Sequence, residues 1–158
     1  MPGASRRPTK GIALGPAGAS DLPQLVELLG ILFTQEAELS PDPEKQRRAL
    51  EIILAEPARA RIFVAREGDA IVAMAALHFT TSTAEGGKVA WFEDCIVRPE
   101  RRGKGIGKAL LEHVIAQARA EGALRVMLLT DGDNATAQAL YRKSGFRDSA
   151  MLAMRLKF

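Results

Sequence analysis

Glu93-Asp94-Cys95-Ile96-Val97-Arg98-Pro99-Glu100-Arg101-Arg102-Gly103-Lys104-Gly105-Ile106-Gly107-Lys108-Ala109-Leu110-Leu111 passes from a strand, through a basic glycine-rich turn, into an amphipathic helix. Glycines alternate at 103, 105 and 107, so the backbone there approaches a ligand without interference from Cβ atoms. The N–H groups that open a helix have no internal partners, and the macrodipole adds partial positive charge. Arg101, Arg102, Lys104 and Lys108 surround them with full charges. This combination suits a phosphate or pyrophosphate.

Glycine-rich turns differ in what they hold. The chain has no G-x-x-x-x-G-K-[ST] string, which excludes a P-loop. Ala109 and Leu110 follow Gly107, so the G-x-G-x-x-G spacing of a dinucleotide fingerprint also fails. Arg102-Gly103-Lys104-Gly105-Ile106-Gly107 fits R-x-x-G-x-G instead. Two further elements accompany it: Glu93-Asp94 on the preceding strand, and Asn134-Ala-Thr-Ala-Gln-Ala-Leu-Tyr-Arg-Lys-Ser-Gly-Phe146. In order and spacing the three together resemble the GNAT N-acetyltransferase superfamily over roughly residues 60–150. The resemblance implies acetyl-coenzyme A as cosubstrate, with its pyrophosphate on Arg102, Gly103, Lys104, Gly105, Ile106, Gly107 and Lys108.

With 158 residues the chain is one domain, long enough to bury a core. Hydrophobic residues make up 47% and charged residues 26%, as expected of a soluble globular protein. The net charge of +3 is largely local, because 98–108 holds five basic residues and one acid. Aromatics at 5% are too few for the stacking platforms of single-strand nucleic-acid binders. A single cysteine, Cys95, rules out a disulfide framework. His78 and His113 are too few and too far apart to suggest a metal, and none is expected. The N-terminal residues carry no apolar run of the secretory kind, and no stretch approaches the roughly 18 apolar residues of a membrane span. A cytoplasmic chain, without nucleic-acid or membrane partners, is the expectation.

Residues 1–9 read as a disordered tail and 10–158 as a single domain. The patterning predicts a short strand at Ile12–Leu14, then a helix capped by Ser20 with Leu25, Leu28, Leu29 and Leu32 inward. A second helix follows from about Pro43 to Ala55. Strands come next at Arg61–Arg66, Ile71–Phe79 and Val89–Val97, the first two joined by a Gly68-Asp69 hairpin turn. A helix from about Gly105 to Ala120 ends at Gly122 and leads to a strand at Val126–Thr130. A helix over Ala135–Ser144 and a last strand at Met151–Leu156 complete the chain, with room for a short strand near Phe146. The expected class is α/β, a mixed central sheet flanked by helices in the order β-α-α-β-β-β-α-β-α-β. The resemblance adds a GNAT-like acyl-CoA N-acyltransferase fold, in which Val89–Val97 and Val126–Thr130 splay apart to admit pantetheine.

Amide formation from a thioester needs a neutral amine, a polarised carbonyl and a proton for the leaving thiolate. Glu93 is the candidate base, acting through a water, or else it binds the positive amine electrostatically; strict alternation puts it on the side of Trp91 and Cys95. A strand carboxylate paired with a nearby Lys or Arg is the plain alternative. Tyr141 lies in an element resembling L-Y-x-x-x-G-F, whose tyrosine protonates the thiolate in that family. Asn134 is a natural helix cap and, by resemblance, a pantetheine contact, beside the small Ala137. Cys95, Ile96 and Val97 offer backbone rather than side chains to pantetheine. Cys95 is read as a small hydrophobe and not a nucleophile, because Glu93 and Asp94 oppose thiolate formation. His113 is assigned to the surface, and His78 is weighed only as a cleft residue.

Glu36, Glu38 and Asp42 make the connection between the first two helices acidic, favouring a small cationic or amino-acid-derived amine as acceptor. A protein N-terminus or lysine remains an alternative, as does a non-catalytic acyl-CoA sensor. Dimers are common among the relatives implied, which leaves a homodimer open.

Overall fold

The computed structural model describes residues 10–158; the tail expected over 1–9 lies outside them. Five strands form one sheet in the order β1-β2-β3-β4-β5: β1 Ile12–Pro16, β2 Ala60–Glu67, β3 Ala70–Ser82, β4 Gly87–Val97 and β5 Val126–Leu128. The first four are antiparallel neighbours, and β5 joins β4 in parallel. Helices α1 Leu22–Gln35 and α2 Pro43–Ala55 cover one face. The other face carries α3 Ile106–Ala120, the crossover between β4 and β5, together with α4 Ala135–Lys143. Among the described residues no helix is long and apolar enough to cross a membrane.

Alternation along the strands builds two cores. Phe63, Ala73, Ala75, Leu77 and Phe92 pack against Ile106, Leu110, Leu111 and Val114 of α3. Ile62, Val64, Met74, Ala76 and Ile96 meet Leu25, Leu28, Leu29 and Leu32 of α1 and Leu50 of α2. The local signals explain the ends of several elements. Gly68 turns the β2–β3 hairpin at φ 60°. Gly122, at φ 81°, closes α3 while the Ala123 N–H donates to the Ala118 carbonyl 3.0 Å away. Asp42 caps α2, accepting from the Lys45 N–H at 3.2 Å.

Four expectations need correction. Ser20 is not the cap of α1; it sits in a 3-10 turn, Ala19–Asp21, and Asp21 takes the cap position. The reason is a long-range demand on Asp21, whose two oxygens accept from the Arg66 guanidinium at 2.7 and 2.5 Å and from the Gly18 N–H at 2.8 Å. The strand expected over Val126–Thr130 ends at Leu128, because Leu129 and Thr130 have already left β4. No strand forms over Met151–Leu156 or near Phe146: neither stretch pairs with a described strand, and Met151, Leu152, Met154 and Leu156 stand in solvent. His113 is half-buried rather than superficial, its ring set edge-on to Phe63 at 5.6 Å, and burial holds its pKa down.

The Arg66 guanidinium beside it keeps the buried Asp21 carboxyl below the usual carboxylate range. Its contribution is therefore complete above the ordinary value near 3.8 and is lost as pH falls through the lower folded-state value. Asp21→Asn should cost about 2 kcal/mol at pH 7. Denaturant titrations of both proteins at pH 7 and pH 3 should show the gap narrowing at the acid end.

Candidate functional site

Residues Glu93–Leu111 fold as a strand end, a single 3-10 turn at Pro99–Arg101, a loop, and the start of α3. Gly103 and Gly105 take φ of 76° and 81°, values that a side chain resists. A Cβ on Gly107 would stand 3.3 Å from Val97 Cγ2, so this glycine lets the helix start close against β4. Gly105 occupies the cap position of α3, and no side chain caps the helix. The first amides of a 15-residue helix therefore point outward without a protein acceptor. That is the chemistry of an anion site.

The basic residues around this turn divide by task. Arg98 holds Glu27 on α1 at 2.7 Å and the Ile71 carbonyl at 2.7 Å. Arg101 pairs with Glu67 at 2.7 Å. Arg102 donates to the Val97 carbonyl at 3.0 Å and to Gln35 Oε1 at 3.3 Å, bracing the loop against β4 and α1. Lys108 lies 3.6 Å from Glu112. Among the described residues, Lys104 alone of this set has neither an ion pair nor a side-chain hydrogen bond.

β4 and β5 pair over only three positions, Ala90↔Val126, Trp91↔Met127 and Phe92↔Leu128. Beyond Phe92 they diverge, and Glu93–Val97 is paired with β3 alone. The expected splay is present. A cavity of about 130 Å³ opens in it, lined by Glu36, Glu93, Asp94, Asp131, Asn134 and Tyr141 among others. Cys95 and Ala137 also line this cavity, whereas Ile96 turns into the α1 core and Val97 packs on the α3 side.

A β-bulge shapes the cavity floor. Between the pairs Ala76↔Glu93 and Met74↔Ile96, β4 carries one residue more than β3. Asp94 absorbs it at φ 54°, the one non-glycine residue with positive φ among those described. The bulge breaks alternation, so Glu93 shares the Trp91 face but Cys95 does not, which corrects the placement of all three on one side. Asp94 was not singled out from sequence; a bulge is set by pairing register, and the Glu93-Asp94 doublet was its only trace.

The groups have distinct ionisation. Burial, reinforced by the Glu93 charge, pushes the Asp94 carboxyl up to about 6. Burial and Asp94 push the Cys95 thiol up to about 12, so it is a thiol at neutral pH and no nucleophile. Burial, then Asp131 and Asp94, raise Glu36. Tyr141, set edge-on to Phe92 at 6.2 Å and Phe146 at 5.9 Å, is also raised, first by burial. Glu93 stays half-exposed with the His78 Nε2 3.7 Å away, a neighbour on β3 rather than a lysine or arginine. Asn134 caps α4, accepting from the Ala137 N–H at 3.1 Å. Of the three acids in the α1–α2 connection only Glu36 lines the cavity; Glu38 pairs with Arg155 at 2.6 Å and Asp42 caps α2.

The profile of the Acetyltransferase (GNAT) family matches residues 22–146, from the start of α1 through Phe146. The chain belongs to this family. Among its relatives, a mycothiol acetyltransferase of Clavibacter michiganensis is 33% identical over 143 residues, 89% of this chain and 44% of that protein. A glucosamine 6-phosphate N-acetyltransferase of Trypanosoma brucei is 31% identical over 133 residues, covering 81% of this chain and 84% of the other. A solved structure, a putative acetyltransferase from Agrobacterium tumefaciens, superposes with a TM-score of 0.78 at 29% identity, over 91% of this chain and 99% of that one. The chain spans about half the length, or less, of most of the curated relatives it matches.

The raised Asp94 gives this GNAT domain a pH signature of opposite sign to that of Asp21. Between pH 3.8 and about 6 the unfolded chain releases a proton that the folded state keeps, so stability falls as pH rises through that window. Asparagine tolerates the left-handed conformation and carries no charge to bury. Asp94→Asn should be more stable than wild type at pH 8, by at most about 3 kcal/mol, with parity at pH 3.5. Thermal melts at the two pH values check this.

Proposed function

We propose that the chain transfers the acetyl group of acetyl-coenzyme A directly to a primary amine held in the β4–β5 wedge. One observation carries this reading: the uncapped start of α3 and the carboxylate-lined cavity at Tyr141 lie at opposite ends of the Glu93–Val97 edge that β5 leaves unpaired. An extended cosubstrate with a pyrophosphate at one end and a thioester at the other fits that layout. The amides around Gly103, Gly105, Ile106, Gly107 and Lys108, with Lys104 beside them, meet the pyrophosphate. Arg102 positions this loop through Val97 and Gln35. The unpaired backbone of Cys95 to Val97 meets the amides of the pantetheine arm, which passes Asn134 and Ala137 at the start of α4. Arg102 already takes the Val97 carbonyl, leaving that residue's role to its N–H.

In the transfer, Glu93 takes one proton from the ammonium through a water and passes it to solvent. The freed amine nitrogen bonds to the carbonyl carbon as the carbon–sulfur bond breaks, and its second proton leaves by the same water. Tyr141 gives its hydroxyl proton to the departing sulfur and is reprotonated from solvent. Its raised pKa keeps that proton in place at neutral pH. The acceptor is a small cationic amine or amino-acid derivative: Glu36, Glu93, Asp94 and Asp131 line the cavity and no basic residue does.

Thiol release from acetyl-coenzyme A should be seen with cationic amines. It should be weaker with anionic ones, glucosamine 6-phosphate included, which is the acceptor named for the trypanosomal relative. A preference for neutral or anionic acceptors would overturn the charge assignment, and turnover confined to peptides would move the acceptor to protein amines. Tyr141→Phe should lower kcat about 100-fold with little change in KM. Wild-type activity in that variant would remove the acid role, and an acetyl-enzyme trapped before amine is added would contradict direct transfer.

A further inference from the structure

Given the acetyl transfer proposed above, on which this rests, we infer that His78 is a positioning residue that relays protons from Glu93 to water. Sheet register brings the two residues together. Ala76 stands opposite Glu93 and His78 opposite Trp91, so His78 and Glu93 are diagonal neighbours on one face of the β3–β4 pair. Side chains of this length span such a diagonal, and the His78 Nε2 lies 3.7 Å from Glu93 Oε2. Ala76 places only a methyl group beside them. Glu93 is the last β4 residue before the bulge, so regular pairing with β3 still decides which face it takes.

The chemistry asks for a proton exit. An ammonium acceptor loses two protons on becoming an amide, while Tyr141 supplies one to sulfur and recovers it from solvent. Glu93 must therefore be emptied between the first proton and the second, within a single turnover. Acceptor and thioester fill the cavity side of its carboxyl at that moment. His78 offers another way out: it does not line the cavity, and its side chain is 33% exposed. Imidazole binds a proton roughly 100-fold more tightly than a carboxylate does in water, so passage from carboxylic acid to ring runs downhill. The 3.7 Å gap is longer than a hydrogen bond, and a small rotation of two partly exposed side chains closes it. The proton moves from Glu93 Oε2 to His78 Nε2, leaving carboxylate and imidazolium, and the ring then releases it to water.

Residue type separates this pair from an ordinary surface ion pair. A lysine or arginine beside Glu93 would stay charged and hold the carboxylate permanently. Histidine is the side chain whose charge changes between roughly pH 5 and 8, which lets it take a proton and give it up again. Glu93 is also the one carboxylate within ion-pair distance of His78 among the described residues. Across the β2–β3 pair His78 faces the small Ala60, and the charges on either side of Ala60 are engaged elsewhere, Arg59 with Glu56 at 3.1 Å and Arg61 with Glu121. Glu36, Asp94 and Asp131 lie along the cavity, and none of them is paired with the ring.

Steady-state kinetics with the best cationic acceptor should compare wild type, His78→Ala and His78→Gln, with far-UV circular dichroism and thermal melts as checks on folding. Both variants should lose about 10-fold in kcat, with KM for acceptor and for acetyl-coenzyme A unchanged. Glutamine still donates a hydrogen bond to Glu93 but carries no proton, so its loss separates relay from placement. Added imidazole should restore much of the lost kcat to His78→Ala and leave wild type unchanged, once its own reaction with acetyl-coenzyme A is subtracted. Wild-type kcat in either variant, or a loss confined to KM, would overturn the role of His78 and leave the acetyl transfer standing. A loss in His78→Ala that imidazole does not relieve would overturn it too. Absence of turnover by the wild type with every amine would remove the transfer itself, and this role with it.

Discussion

β4 and β5 stay paired for three residues and then part, and the rest of the molecule is arranged around that separation. Unpaired backbone in a protein interior is costly, so parting strands need a reason and a support. The support comes from both sides. Ile96 is held in the α1–α2 core and Val97 in the α3 core, while Arg98 clamps the strand end to Glu27 and to the Ile71 carbonyl. β4 thus stays paired with β3 past the bulge while its other edge is free of β5. The bulge at Asp94 falls where the separation begins and turns the strand's carboxylates toward the opening.

Electrostatics at the two ends of the wedge have opposite sign. At one end outward amides and Lys104 make a positive concavity; at the other, four carboxyl groups converge on about 130 Å³. Burial first, and crowding of like charge second, is why Asp94 and Glu36 hold protons more tightly than free carboxylates. In the proposed transfer, a cationic acceptor entering that space would relieve the repulsion.

Much of this was legible in the sequence where signals are local. Pro43 marked the start of α2, Gly122 the end of α3, and the apolar spacing of Leu25, Leu28, Leu29 and Leu32 the inward face of α1. The glycine turn and its helix were legible for the same reason. What escaped depends on partners distant in the chain. Ser20 has every local mark of a cap, but Asp21 is claimed by Arg66, 45 residues away. The bulge at Asp94 follows from register against β3. The alternation in 151–156 is a strand pattern, yet a strand exists only with a neighbour, and this stretch pairs with no described strand.

The mutual engagement of the arginines has a further consequence. Arg98 and Arg101 are each neutralised by a carboxylate, and Arg102 is spent on a carbonyl and an amide oxygen. Arg102 and Lys104 keep their full charges, and oriented peptide dipoles, whose direction is set by the backbone angles at Gly103 and Gly105, add to them. Dipoles of this kind neither titrate nor accept modification. In the proposed reading, the dipolar share of the turn's attraction for an anion is thus encoded as shape.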